Sequence, residues 1–115
     1  MQRKSEISWG DFSKVDIRVG TVQRAEAFAE ARRPAFKLWL DFGPDVGILK
    51  TSAQITDHYQ PDELIGLQLL AVVNFPPKQI ASFMSECLVL GAYTEDRSVI
   101  LVEPNRLVVD GSSIG

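Results

Sequence analysis

The sequence predicts an all-β protein, a small Greek-key barrel of five or six short strands. Apolar and polar residues alternate with a period of two in several separate segments, which is typical of half-buried strands. Gly, Pro and Asp lie between many of these segments, so the connections are expected to be turns. A short helix is predicted between the third and fourth strands, and this order argues against an up-and-down barrel, the main alternative.

The chain is predicted to begin with a short helical turn at residues 8–12. Ser8 is a good N-cap, and Asp11 stands near the position of a capping-box acid. The aromatic residues Trp9 and Phe12 share one face of this turn. They need a partner surface, which is either the core of the domain or a second subunit.

The predicted strands follow in order. Residues 16–28 form the first strand, in which Gly20 is typical of a bend or bulge. Residues 36–42 alternate without a fault and place Trp39 on the polar face. There Trp39 either covers a sheet edge, which is the commoner use, or serves as a stacking platform. The remaining predicted elements are a strand at 46–53, a helix at 59–66, and strands at 67–73, 87–92 and 99–102. This is the element order of the OB-fold, whose loops typically bind oligonucleotides or other ligands.

The connection between the predicted strands 67–73 and 87–92 is the candidate binding surface. Pro76 and Pro77 lack a backbone N–H and cannot donate to a central ladder, so a strand is not expected in this segment. A residue that precedes proline is restricted to extended geometry, which stiffens the connection. Polar and apolar side chains alternate along it. A rigid, mixed surface of this kind favours binding over catalysis.

Composition sets limits on the function. The 115 residues suit one compact domain, 1–115, and the net charge of −3 counts against unspecific adhesion to nucleic acid. The longest apolar run, 69–73, is far shorter than the roughly 20 residues of a membrane helix. The N-terminus also lacks the apolar stretch of a signal peptide. We therefore expect no membrane insertion and a cytoplasmic location, with which the lone Cys87 agrees.

Catalytic motifs are absent from the sequence. It has no Gly-rich phosphate loop, and one His with one Cys cannot form a zinc site of the usual kind. His58 and Cys87 could form a base–nucleophile pair, but a free Cys in an apolar strand is usually a small buried hydrophobe. Asp62 and Glu63 are explained by the helix N-terminus at which they stand. The sequence therefore predicts a protein that is not an enzyme and has no catalytic residue, metal or cofactor.

Four segments carry a pattern shared with a known family: FSKVDIRVG at 12–20, EARRPAFK at 30–37, KTSAQIT at 50–56 and VNFPPKQI at 73–80. They resemble the tRNA-binding OB domain family and, within it, the CsaA-type export-related chaperones. The similarity runs from about residue 7 to residue 112. Where the broader family has Ser-Glu-Gly-Met, this chain has Ser-Glu followed by Cys87 and Leu88.

The resemblance implies a five-stranded OB-fold barrel with short helices, whose N- and C-terminal extensions pair two subunits in a homodimer. It also implies ATP-independent binding of unfolded or export-bound polypeptides, and a contact with the protein export machinery. Leu88 keeps an apolar surface at the position of the family's Met. The side chain of Cys87 is expected to hinder close approach of a base or phosphate to the backbone, which predicts weak tRNA binding.

The first functional hypothesis is a small dimeric chaperone that holds extended polypeptide by burying apolar surface. Phe83 is better interpreted as a plug for one end of the barrel, whereas for Phe75 the plug and the binding residue are even alternatives. The candidate peptide-binding residues are Trp39, Asn74, Phe75, Pro76, Gln79, Ile80 and Phe83.

The second hypothesis is a tRNA-binding module. Basic side chains contact phosphates, and polar side chains contact sugars or base edges. Arg32 and Arg33 lie in the first inter-strand loop, one of the two loops that OB-folds typically use for ligands. The candidate RNA-binding residues are Arg32, Arg33, Lys37, Lys50, Asn74, Lys78, Ser82 and Ser85.

Overall fold

The computed structural model describes residues 2–115, and its main feature is a nearly closed antiparallel barrel of five strands. This is the predicted OB-fold. The strands of the barrel follow the order β3-β2-β1-β4-β7, and two small hairpins, β5–β6 and β8–β9, lie outside that sheet. The elements are α1 (Trp9–Ser13), β1 (Ile17–Ala27), β2 (Phe36–Asp41), β3 (Ile48–Ala53), α2 (Pro61–Leu64), β4 (Gln68–Val72), β5 (Lys78–Ile80), β6 (Phe83–Ser85), β7 (Leu88–Val89), β8 (Gly91–Tyr93) and β9 (Val99–Leu101).

The long strand β1 serves two neighbours. Its first half pairs with β4 and its second half with β2, and the register shifts between Val22 and Arg24. The bulge thus lies just beyond Gly20, the residue at which the sequence predicts a bend or bulge. Gly20 is needed for another reason, because an added Cβ would lie 2.7 Å from the ring of Phe42.

The barrel closes where β3 meets the chain just before β7. The N–H of Glu86 donates to the carbonyl of Lys50 at 2.8 Å, and the hydroxyl of Thr51 donates to the carbonyl of Cys87 at 2.7 Å. Inside the barrel, the predicted inward residues of β2 are buried, together with Phe42 in the following turn. This closed core gives the outer loops a rigid support.

The crossover between β4 and β7 contains a hairpin, so the prediction that this segment forms no strand is wrong. Its prolines restrict only the chain up to Pro77, and β5 begins at the next residue. A two-residue turn, Ala81 and Ser82, joins β5 to β6. Ala81 has a φ of +54°, and a positive φ at the first turn residue alone is the pattern of a type II′ turn.

The C-terminal extension, residues 103–115, is hydrogen-bonded to the first half of β1, whereas the N-terminal extension, residues 2–16, is held by Asn74 just after β4. The side chain of Asn74 accepts a hydrogen bond from the N–H of Asp16 and donates to the carbonyl of Lys14 at 2.7 Å. On the other side, the N–H of Ile114 donates to the carbonyl of Ile17. The predicted capping box between Ser8 and Asp11 is present at α1. Neither helix formed by residues 2–115 has the length and apolarity that a membrane crossing requires.

Candidate binding cleft

A cleft of about 1660 Å³ opens beside the crossover. One wall is the β1–β2 connection, with residues 30–33 and Ala35, together with residues 52–55 at the end of β3. The other wall is the crossover, residues 75–81, and the chain around β7, residues 85–89. Gly91 and Tyr93 of β8 and Val99 of β9 complete the lining. The segment predicted to form the binding surface therefore lines the cleft.

The structure brings part of the predicted site together in this cleft and places the rest elsewhere. Eight predicted residues line it: Arg32, Arg33, Phe75, Pro76, Lys78, Gln79, Ile80 and Ser85. Six predicted residues do not: Lys37, Trp39, Lys50, Asn74, Ser82 and Phe83.

Phe83 and Trp39 belong to a second apolar cluster on the outer face of the barrel, which we call the outer cluster. Its buried members are Phe28, Ala35 and Phe83, against which Ala31, Trp39 and Ile80 pack. The ring of Phe83 makes edge-to-face contacts with Phe28, at 5.4 Å between centroids, and with Trp39, at 6.0 Å. Arg24 stacks on Trp39 with its guanidinium carbon 4.3 Å from the ring centroid. Phe83 and Trp39 thus attach the hairpin to β2, and we remove both from the polypeptide-binding set.

Two cations of the predicted RNA patch lie over the outer cluster. The ammonium groups of Lys37 and Lys50 are 5.3 and 5.1 Å from the centroid of the Phe83 ring. Lys37 also forms an ion pair with Glu30 at 3.4 Å. Lys37 and Lys50 therefore do not line the cleft, and both make cation–π contacts with Phe83. The basic residues that line the cleft are Arg32, Arg33 and Lys78.

Several predicted polar residues have structural partners. Asn74 uses both ends of its amide to hold the N-terminal extension. The hydroxyl of Ser85 contacts that of Thr51 at 2.9 Å and accepts the N–H of Ser52 at 3.2 Å. Ser82 lies exposed in the hairpin turn, outside the cleft. We therefore remove Asn74 and Ser82 from the proposed set, and Ser85 remains as a lining residue that also supports the barrel.

Exposed apolar side chains give the cleft its main chemical character. Phe75, Leu88 and Tyr93 all line it, with exposed fractions of 54%, 50% and 74%. Sequence reasoning did not place Tyr93 or Leu88 in the site. For Leu88 the sequence contains one signal, which is that the residue is apolar. It contains none for Tyr93, because that residue reaches the cleft through the hairpin β8–β9.

The surroundings of Cys87 and His58, the two residues considered for catalysis, do not suit a nucleophile and a base. Burial raises the pKa of the Cys87 thiol to about 12, so the nucleophilic thiolate is scarce at neutral pH. The imidazole of His58 contacts the hydroxyl of Ser98 at 2.6 Å, and that hydroxyl donates to Asp96. In a catalytic triad the carboxylate instead holds the imidazole. Residues 2–115 contain no group of three His, Cys, Asp or Glu side chains that could hold a metal.

Comparison with known proteins agrees with this geometry. The structure resembles that of the chaperone CsaA from Bacillus anthracis, with a TM-score of 0.91, 49% identity and coverage of 96% of this chain and 100% of that chain. It resembles the CsaA chaperone protein from Picrophilus torridus with a TM-score of 0.90, 51% identity and the same coverage.

A methionine–tRNA ligase from Cytophaga hutchinsonii is 35% identical over 112 residues, which are 97% of this chain. The chain spans only 16% of that ligase, so the ligase activity does not transfer to it. The family described as "Putative tRNA binding domain" matches residues 17–113. The chain therefore belongs to the tRNA-binding domain family and resembles CsaA-type members of it over nearly its whole length.

Proposed function

We propose that this protein is an ATP-independent chaperone that holds unfolded or export-bound polypeptide segments in the cleft. The observation that carries the proposal is the set of exposed apolar side chains, Phe75, Leu88 and Tyr93, in one wide cleft beside the rigid Pro76 and Pro77. Burying such side chains contributes about 25 cal/mol per Å² whatever the order of the client's residues. The cleft therefore suits many unrelated unfolded segments. The identity of about half the residues with CsaA chaperone structures supports this function.

The hairpin edge suits an extended backbone. Among residues 2–115, β5 pairs with β6 alone, so its other edge is open to another strand. The same segment, Lys78–Ile80, lines the cleft. An extended client could add to this edge through main-chain hydrogen bonds while its side chains contact the apolar wall. Gln79 in this strand is exposed, and its side-chain amide donates to the carbonyl of Ala81 at 3.0 Å.

We also propose that the active form is a cytoplasmic homodimer that delivers its clients to the protein export machinery. The extensions expose Trp9, Leu107 and Val109 at 92%, 87% and 81%. Apolar residues that are this exposed favour an interface with a second copy. The C-terminal extension is hydrogen-bonded to the first half of β1, and the N-terminal extension leads directly into that half and is held by Asn74, so one self-complementary surface could include both.

Binding of tRNA is the second candidate function. The family match and the exposed Arg32, Arg33 and Lys78 favour it. Two facts count against it as the main activity. Lys37 and Lys50 lie over the Phe83 ring, outside the cleft, and the net charge of the chain is −3.

A salt series on one preparation tests the proposal. Binding of an unfolded polypeptide and of tRNA is measured by fluorescence anisotropy at increasing salt. We expect polypeptide binding that weakens little with salt. For tRNA, we expect a plot of log affinity against log salt whose slope is no steeper than about −3, since three cations line the cleft and each neutralised phosphate contributes about −0.9. If tRNA alone binds, with a steeper slope, the chaperone proposal is wrong.

A matched pair of variants locates the polypeptide site. Phe75 in the cleft and Ile48 at the start of β3 are both 54% exposed, and Ile48 does not line the cleft. Phe75→Ala is expected to weaken polypeptide binding about tenfold, because a central aromatic contact commonly carries more than 1 kcal/mol. Ile48→Ala is expected to leave it unchanged. Equal effects of the two variants would contradict the assignment of the cleft.

A further inference from the structure

The lining of the cleft carries more positive than negative charge. Arg32, Arg33 and Lys78 are exposed, and none of them has an ion-pair partner within residues 2–115. The lining contains two carboxylates, and one of them has a cationic partner. Glu30 pairs with Lys37 at 3.4 Å, and Glu86 accepts the backbone N–H of Lys50 at 3.0 Å. A chain of net charge −3 thus offers free cations at the place where apolar side chains are exposed.

A ligand that fills this cleft meets both properties together. Its apolar groups can contact Phe75, Leu88 and Tyr93, while Arg32 and Arg33 present guanidinium groups that bind carboxylates in a two-pronged geometry. A Lys or Arg on the ligand would instead approach three like charges, opposed by a single carboxylate, Glu86, that has no ion-pair partner within residues 2–115. At physiological salt, charges act over about 8 Å, so the local charge of the cleft outweighs the distant acidic surface.

We propose that the cleft selects polypeptide segments in which apolar residues are accompanied by Asp or Glu, and that it disfavours segments that carry Lys or Arg. This inference rests on the proposed chaperone function and specifies its client. The n-region of a secretory signal peptide is positively charged. An export-bound client is therefore held by an acidic and apolar segment of its mature sequence, and its signal peptide remains outside the cleft.

Three peptides of equal length test the selection. They share their apolar residues and carry Glu, Gln or Lys at the same two positions. Fluorescence anisotropy with the full chain is expected to show the highest affinity for the Glu peptide, a lower one for the Gln peptide and the lowest for the Lys peptide. The total span is about tenfold, since exposed ion pairs are weak. At about 1 M salt, where screening acts within about 3 Å, the three affinities are expected to converge.

Two double variants distinguish the effect of the cations in the cleft from the effect of the net charge of the chain. Arg32→Glu with Arg33→Glu is expected to reverse the order, so that the Lys peptide binds tightest. Arg3→Glu with Lys4→Glu changes the net charge equally at exposed residues outside the cleft, and it is expected to keep the order.

Each other outcome has a definite meaning. Equal affinities, a wild-type preference for the Lys peptide, or reversal by the control would overturn the selection and leave the chaperone function standing. If no peptide and no unfolded protein binds while tRNA does, both the selection and the proposed function are wrong.

Discussion

Phe75 and Phe83 belong to the same crossover but have different surroundings. Phe83 is 7% exposed and packs edge-to-face on Phe28 and Trp39, whereas Phe75 is 54% exposed in the cleft. Phe83→Ala is expected to lower the free energy of unfolding by about 3 kcal/mol, because it removes buried ring contacts and leaves a cavity. Phe75→Ala is expected to change it by no more than about 0.5 kcal/mol. Urea unfolding followed by circular dichroism measures both values. A larger loss for Phe75→Ala would contradict the packing of the hairpin.

Ionised Asp96 stabilises the turn before β9, so the stability of the protein is expected to depend on pH in the acid range. Hydrogen bonds from the side chain of Thr94, and then from the hydroxyl and N–H of Ser98, lower the pKa of Asp96 from 3.8 to about 2. The folded state therefore holds the ionised form better than the unfolded state does. The stabilisation is complete above the ordinary pKa of the carboxyl group, and it is lost as the pH falls through about 2.

We expect the stability difference between the wild type and Asp96→Asn to be constant from about pH 5 to 8 and to shrink between about pH 4 and 2. Urea unfolding at a series of pH values measures it. Glu95→Gln is a suitable control, because no hydrogen bond within residues 2–115 ends on the Glu95 side chain. A difference between the wild type and Asp96→Asn that persisted at pH 2 would show that the carboxylate is not the cause.

The hairpin β5–β6 has a strained turn that can be improved. Ala81 adopts a positive φ of 54°, which costs a non-glycine residue about 1 kcal/mol or more, whereas Ser82 does not have a positive φ. Ala81→Gly removes this cost but gains chain entropy in the unfolded state, so we expect a net stabilisation of about 0.5 kcal/mol. Ser82→Gly provides the control and is expected to destabilise. Thermal unfolding of both variants tests the turn, and the same sign for both would contradict its geometry.

Elements with a long pattern were predictable from the sequence. The alternation at 36–42 identifies β2 and its inward residues, and Ser8 with Asp11 identifies the start of α1. The hairpin was not predictable in this way, because three-residue strands are too short to show a period and the preceding prolines dominate the local signal. The bulge of β1 was placed at Gly20 because a pattern cannot distinguish a bend from the close approach of a ring such as Phe42.

The candidate site could be predicted only in part, because its composition depends on contacts between distant segments. Alternation places Lys37 on the outer face of β2 but cannot show that Phe83 covers this face. Similarly, nothing near Asn74 in the sequence indicates that its amide binds Lys14 and Asp16. The place of Arg32 and Arg33 beside the cleft was easier to predict, since the loop between the first two strands of an OB-fold typically contacts ligands.

The whole molecule separates two kinds of exposed apolar surface. One lies in the cleft, where cations accompany it, and the other lies on the terminal extensions, at Ile7, Trp9, Leu107 and Val109. In the proposed function a client must leave the cleft again, so that surface is expected to bind reversibly. The extensions have no such requirement. The two surfaces can therefore serve different partners, a changing polypeptide and a permanent second copy.

The proposed dimer predicts how oligomeric state responds to a change in α1. Light scattering at micromolar concentration is expected to give about twice the chain mass of 12.8 kDa. Trp9→Glu is expected to reduce this to the mass of one chain without unfolding it, because Trp9 is 92% exposed and contributes little to the core. Ile48→Glu changes an exposed apolar residue of β3, which belongs to neither extension, and is expected to remain dimeric. A monomeric wild type, or dissociation by Ile48→Glu alone, would contradict an interface formed by the extensions.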